Sequence, residues 1–364
     1  MREVAAESSR CLFSDTRDSA FAFNSALASD RTSIERTPMN RRDALGLFGL
    51  ASLAALAPNA LSFAATQDGA TGGAQPASPS ETGAPPLSNP ISLAQWSLHR
   101  RFGFGKPEER AKDPADPMDF ARIAKDEFGI TRIELVNQFY AGRIGEKTLG
   151  GEFRKRCDDL GAKCELIMCD GEGLCGAADK AARAKFASNH EKWLAFAKEI
   201  GCHSIRVNAI GEGSADEQKI RCADGLIKLL EVAKPYELNV IVENHGGLSS
   251  DGVWVVDVMK LVADRRRCGT LPDFGNWRDG SGKLIDPVRN VALVVPYAKG
   301  MSAKSYDFDD KGNETLLDYP AILDVVAKSG YKGAIGIEYE GKRMSEHDGI
   351  LATKKILERF GCKA

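Results

Sequence analysis

Three carboxylates in this chain stand where carboxylates are costly. Glu243 follows Val240, Ile241 and Val242; Glu338 follows Ile335 and Ile337; Asp273 follows Leu271 and Pro272. An acid within an apolar strand raises the free energy unless it is paired, protonated or bound to metal. Three such acids at one level would repel one another, and a divalent cation removes that repulsion. Oxygen-dominated ligation points to Mn²⁺ or Mg²⁺, with Co²⁺ and Zn²⁺ left open. Each acid also has a plainer role: Glu243 as a cap partner or salt-bridged core acid, Asp273 as a turn former before Gly275, and Glu338 as the partner of Lys304 or Arg206.

Bringing the three together requires a particular order of elements. From Ile91 onward, short apolar runs alternate with longer amphipathic ones. The pattern predicts strands at Ser92–Trp96, Arg132–Val136, Cys164–Cys169, Ser204–Asn208, Val240–Asn244, Thr270–Asp273, Gly300–Lys304 and Ala334–Glu338. Helices are predicted between them at Asp119–Glu127, Gly151–Leu160, Asp179–Ile200, Asp216–Pro235, Gly252–Arg265, Pro287–Tyr297 and Tyr319–Ser329, with a last one at Glu346–Phe360. A repeated βα order excludes an all-β sandwich, and eight units fit a closed (β/α)8 TIM barrel. The open doubly wound sheet is the alternative. It usually carries a Gly-rich phosphate loop after its first strand, and LHRRFGFGKPEE has no GxGxxG.

Catalytic groups of such a barrel project from the C-terminal ends of its strands. The polar residues there are Gln95, Trp96 and His99, Glu134 and Asn137, Asp170 and Glu172, Arg206 and Asn208, Glu243 and His245, Asp273 and Asn276, Ser302 and Lys304, and Glu338 and Glu340. Glu134 reads equally as an ion-pair partner of Arg206 and as a substrate contact. His245 reads as a site group or as part of an Asn-His-Gly-Gly turn. Trp96, Phe102 and Trp277 offer either apolar faces to a substrate or simple packing. His190 and His203 are expected to be structural, and His347 to lie on the surface.

The formal net charge of −2 gives no electrostatic case for nucleic acid. Nine cysteines show no CxxC and no zinc spacing, and most are expected to be buried small apolar residues, with one or two disulfides open if the chain is exported. Residues 39–65 pair Arg41 and Arg42 with a short apolar run and a small-residue site at Ser62 and Ala64, the layout of a twin-arginine-like signal peptide. That run is too short for a stable membrane span in the mature form, and the expected location is periplasmic. Residues 1–38 read as a disordered or misassigned extension, residues 66–90 as a Gly/Ala/Ser/Pro-rich linker, and residues 91–364 as one folded domain.

The segments SLAQWSLHR, IELVNQFY, VIVENHGG, LPDFGN, MSAKSYDFD and IGIEYEG, in this order, resemble the xylose isomerase-like TIM-barrel superfamily of sugar isomerases and epimerases. The resemblance covers all of residues 91–364. In relatives such as tagatose 3-epimerase-like enzymes and inosose dehydratase, Glu, Asp, His and Glu on strands five to eight hold one metal. The resemblance therefore implies metal positions at Glu243, Asp273, Ser302 and Glu338, with Ser302 standing where the family has histidine. A further family histidine falls on Asn276. The implied reaction is metal-dependent isomerisation or epimerisation of a small carbohydrate through an enediolate, with Glu243 and Glu338 moving the proton. Substrate contacts would fall on Trp96, His99, Glu134, Arg206, His245, Asn276 and Lys304. Two other readings stand beside it: a lyase or dehydratase acting on a 3-keto sugar or inosose, and a non-catalytic sugar-binding barrel. The apurinic endonuclease branch needs more histidines than the five here, which lie in the wrong places. Oligomeric state is left open.

Overall fold

The computed structural model describes residues 85–364. The expected signal, the extension before it and most of the linker lie outside the described residues. Eight parallel strands alternate with helices: β1 Ile91–Ala94, β2 Arg132–Val136, β3 Lys163–Met168, β4 Ser204–Asn208, β5 Asn239–Glu243, β6 Cys268–Leu271, β7 Ser302–Ser305 and β8 Ile335–Tyr339. The helices are α1 Phe120–Phe128, α2 Leu149–Leu160, α3 Lys180–Asn189, α4 Glu191–Ile200, α5 Ala215–Ala233, α6 Gly252–Val262, α7 Pro287–Val294, α8 Tyr319–Ser329 and α9 Glu346–Arg359. The sheet runs β6-β5-β4-β3-β2-β1-β8-β7. Single parallel bridges, Thr270 to Ala298 and Asp273 to Ser302, join β6 to β7 and complete the (β/α)8 barrel.

Register decides which polar residues share a level. Glu243 lies beside Asn208 of β4 and Leu271 of β6. Lys304 lies beside Glu338. Asp273 sits two residues beyond β6 and reaches the same rim through its bridge to Ser302 at the seam. Strands buried on both faces read as near-continuous apolar runs, as in LIM of β3 and VIV of β5. Asp179, Ser214, Asp251, Asp286, Asp318 and Ser345 each accept a hydrogen bond from the first turn of the helix that follows.

Three differences from the sequence pattern have local causes. The strand expected to run to Trp96 ends at Ala94, and Gln95–Leu98 forms a 3-10 turn. Gln95 turns inward there: its side chain accepts from Val136 N–H and donates to Tyr140 Oη. The single helix expected over Asp179–Ile200 is two helices that meet at His190, whose buried ring Nδ1 lies 2.8 Å from the Phe186 carbonyl. The described chain also reaches back before Ile91 into the expected linker. Leu87, the one large apolar side chain of the expected linker, is buried, and its N–H donates to the Phe360 carbonyl. Asn89 donates to the carbonyls of Tyr331 and Gly333.

No described helix is long and apolar enough to cross a membrane. The eight described cysteines are all free and buried.

Candidate active site

Glu243, Asp273 and Glu338 come together at the C-terminal end of the barrel. All three are buried, and one ligand oxygen from each lies within 4.8 Å of the others. Asp273 is the most tightly built. Its Oδ1 accepts the backbone N–H groups of Gly275 and Asn276, both at 2.8 Å, while Asn244 exchanges two hydrogen bonds with its main chain. That leaves Oδ2 turned toward Ser302, whose hydroxyl lies 2.6 Å away and also 3.0 Å from Glu338 Oε2. A hydroxyl has one proton, so Ser302 serves one of these carboxylates at a time. Asn276 Nδ2 donates to Glu243 Oε1 at 3.2 Å.

Two buried cations flank the acids. Lys304 Nζ lies 2.7 Å from Glu338 Oε1, 3.3 Å from Glu340 Oε1 and 3.7 Å from Asp273 Oδ2. Arg206 Nη1 donates to Asp170 Oδ1 at 2.7 Å, and its Nε lies 2.8 Å from Glu243 Oε2 without aligned hydrogen-bond geometry. Neither Arg206 Nε nor Glu243 Oε2 has a hydrogen-bond partner. Burial, with Glu338 nearby, outweighs Arg206 and pushes Glu243 up to about 7. Asp273 is likewise raised to about 7, by burial and then by Glu243 and Glu338 against the pull of Lys304. The two cations therefore leave negative charge uncompensated. Asp170 shows the contrast within one site: burial opposes its ionisation, but Arg206 holds it down at about 2.

Around this centre stand further side chains from the strand ends. Trp96 is half-buried, donates from Nε1 to Glu340 Oε1 at 2.5 Å and stacks on His99 with ring centroids 5.0 Å apart. His99 Nδ1 lies 2.9 Å from the Trp96 carbonyl and 3.5 Å from Glu346. His245 is exposed, and only its backbone N–H is fixed, by Ser249 Oγ. Gly246 and Gly247 follow with φ of 91° and 56°, which side chains rarely adopt, so this turn requires its glycines. Phe102 and Trp277 are buried and offer no face to a substrate.

Glu134 sits deeper in the barrel. Ser92 Oγ donates to its Oε1 at 2.6 Å, its Oε2 has no partner, and burial raises it to about 8. Arg206 pairs instead with Asp170 and Glu243. His203 lies at the opposite end of the barrel beside Glu165. Two anchors stood among the polar strand-end residues but were given no role in the expected site. Asp170 fixes Arg206, and Glu340 ties Trp96 to Lys304. The period of two in IEYE carried a signal for the second, since it puts Glu340 on the same face as Glu338.

The donor set fits a hard divalent cation: three buried carboxylates from adjacent parts of the rim, with charge left over after Arg206 and Lys304 are counted. The family model described as xylose isomerase-like TIM barrel matches residues 121–360. The chain belongs to this family. Among solved structures, a xylose isomerase-like TIM barrel protein from Mycobacterium smegmatis, in complex with magnesium, is 17% identical with a TM-score of 0.55. That match covers 75% of this chain and 96% of the other. The 3-keto-D-glucoside 4-epimerase of E. coli is 14% identical with a TM-score of 0.57, covering 74% of this chain and 99% of that one. At these identities the likeness is one of fold. Among curated proteins, the C-glycoside deglycosidase alpha subunit of Arthrobacter globiformis is 37% identical over 65 residues. That stretch is 17% of this chain and spans only 18% of the relative's length.

Proposed function

We propose that this protein is a metal-dependent carbohydrate isomerase or epimerase that moves a proton on a carbon next to a carbonyl. The observation that carries the proposal is the convergence of Glu243, Asp273 and Glu338 at the rim of a xylose isomerase-like barrel. These three residues would hold the cation, with Ser302 beside them. When bound, a divalent cation such as Mn²⁺ or Mg²⁺ supplies Lewis-acid polarisation of the carbonyl.

The chain's own residues do the proton work. Glu243, whose Oε2 is free of hydrogen bonds, takes the α-proton. Glu338 returns it on the other side of the substrate. Arg206, fixed by Asp170, stabilises charge that develops on the substrate oxygen. Asn276 holds Glu243 in place, and Trp96, stacked on His99, offers its face to the sugar ring. His245, exposed beyond its strand end, contacts substrate hydroxyls. Glu134 lies too deep for the first contact and supports the floor of the site. Residues 39–65 favour export to the periplasm, and with it an unphosphorylated sugar or glycoside.

A second reading shares the first step and then expels a leaving group from the neighbouring carbon. The local similarity to a protein named as a C-glycoside deglycosidase subunit favours it. Incubation with 3-keto-glycosides and Mn²⁺ in deuterium oxide separates the readings. Deuterium in a recovered epimer, abolished by Glu243→Gln, supports the epimerase. Release of the aglycone supports the lyase. Binding with neither exchange nor release overturns both and leaves a sugar-binding barrel.

A further inference from the structure

We propose that Lys304 is a built-in competitor for the divalent cation, so that without substrate the centre holds metal weakly and exchangeably. This inference rests on the metal reading above and concerns how the site is loaded.

Lys304 does not border the carboxylate cluster; it occupies part of it. Its Nζ is 2.7 Å from Glu338 and 3.7 Å from Asp273, so a positive charge already stands between two of the three acids that would ligate a cation. The side chain is 1% exposed. Several features fix it there. The strand register sets Lys304 directly beside Glu338. Glu340 binds the ammonium from the other side and is itself anchored by Trp96. Gly275 leaves the space its stem fills, since a Cβ at Gly275 would lie 2.8 Å from Lys304 Cγ.

The fourth side of the centre adds little to offset this. Ser302 is a neutral hydroxyl committed to Asp273 and Glu338, a weaker donor to a cation than an imidazole. A divalent ion entering between Asp273 and Glu338 meets a fixed positive charge in a water-poor site, where charge–charge repulsion is poorly screened. Oxygens of a bound substrate would supply the missing donors. The cation and the sugar should therefore enter together rather than in sequence.

The test is Mn²⁺ titration of the full chain without substrate, read by the loss of free-Mn²⁺ electron paramagnetic resonance signal. Lys304→Met should bind Mn²⁺ at least tenfold more tightly than the parent, and Lys304→Arg no more tightly. Lys304→Gln, which keeps a donor toward Glu338, covers the case in which the methionine variant does not fold without metal. If Lys304 only braced Glu338, its removal would loosen the site, and equal or weaker Mn²⁺ binding by both neutral variants overturns the inference while leaving the metal centre intact. Absence of Mn²⁺ binding in the parent and in every variant overturns the metal reading and this inference with it.

Discussion

The two ends of the barrel treat buried carboxylates in opposite ways. At the N-terminal mouth, Glu165 lies in a cavity of about 540 Å³ among Arg132, Lys163 and His203. Arg132 and Lys163 both pair with it, and His203 Nε2 is 3.4 Å away. Burial opposes its ionisation, but these partners hold it down at about 2. At the C-terminal mouth, three acids share two buried cations, and both Glu243 and Asp273 are pushed up to about 7. One end spends its charges on cohesion. The other keeps them in conflict, and such conflict is characteristic of functional sites.

That contrast can be broken from either end. The largest effect is expected from Glu243→Gln. It should lower the rate of substrate proton exchange by about 10² to 10⁴-fold, the usual contribution of a general base. Because it removes one of three mutually repelling acids, thermal melting should show no loss of stability. Glu165→Gln should do the reverse. It leaves Arg132 and Lys163 without their partner and should cost about 3 kcal/mol in denaturant unfolding, at the low end for a broken buried pair because both cations are partly exposed. Activity per folded molecule should stay at the parent's level.

The pH dependence of stability sharpens the comparison. Glu165 is depressed in the folded state, so its stabilisation is present above its ordinary value of 4.5 and is lost as pH falls toward about 2. Glu134 has the opposite sign. Its folded value is raised to about 8, so its favourable contribution is present below 4.5 and is lost as pH rises through about 8. Glu134→Gln should therefore gain stability relative to the parent across that window, by about 1–3 kcal/mol once pH exceeds 8. Urea midpoints of the two proteins that stay parallel from pH 5 to pH 9 would contradict this. The smallest effect is expected from Ser302→Ala, about 1–2 kcal/mol of lost stability for one charge-assisted hydrogen bond, visible as a modest drop in melting temperature.

Much of this arrangement was legible in the sequence. The βα alternation placed all eight strands within a few residues, because buried parallel strands announce themselves as apolar runs between amphipathic helices. Glu243, Asp273 and Glu338 stood out because each follows such a run. The break at His190 was not legible: no glycine or proline marks it, and the residue keeps near-helical angles of −79° and −10°. Pairings that depend on register were also hidden. Ser92 with Glu134, Asp170 with Arg206 and Glu340 with Lys304 each join strands far apart in sequence, and no local pattern specifies the partner. The fate of the aromatic residues was undecided for the same reason. Trp96 is half-buried at the rim while Trp277 is wholly buried, although both lie in loops beyond strand ends.

The most direct test of the central claim is Mn²⁺ binding by the full chain, compared with Glu243→Gln and Glu338→Gln at one pH and ionic strength. The account predicts one weak site per chain that either substitution abolishes. Binding that survives unchanged in both variants, or a parent that takes up no Mn²⁺ even with a keto-sugar present, would contradict it.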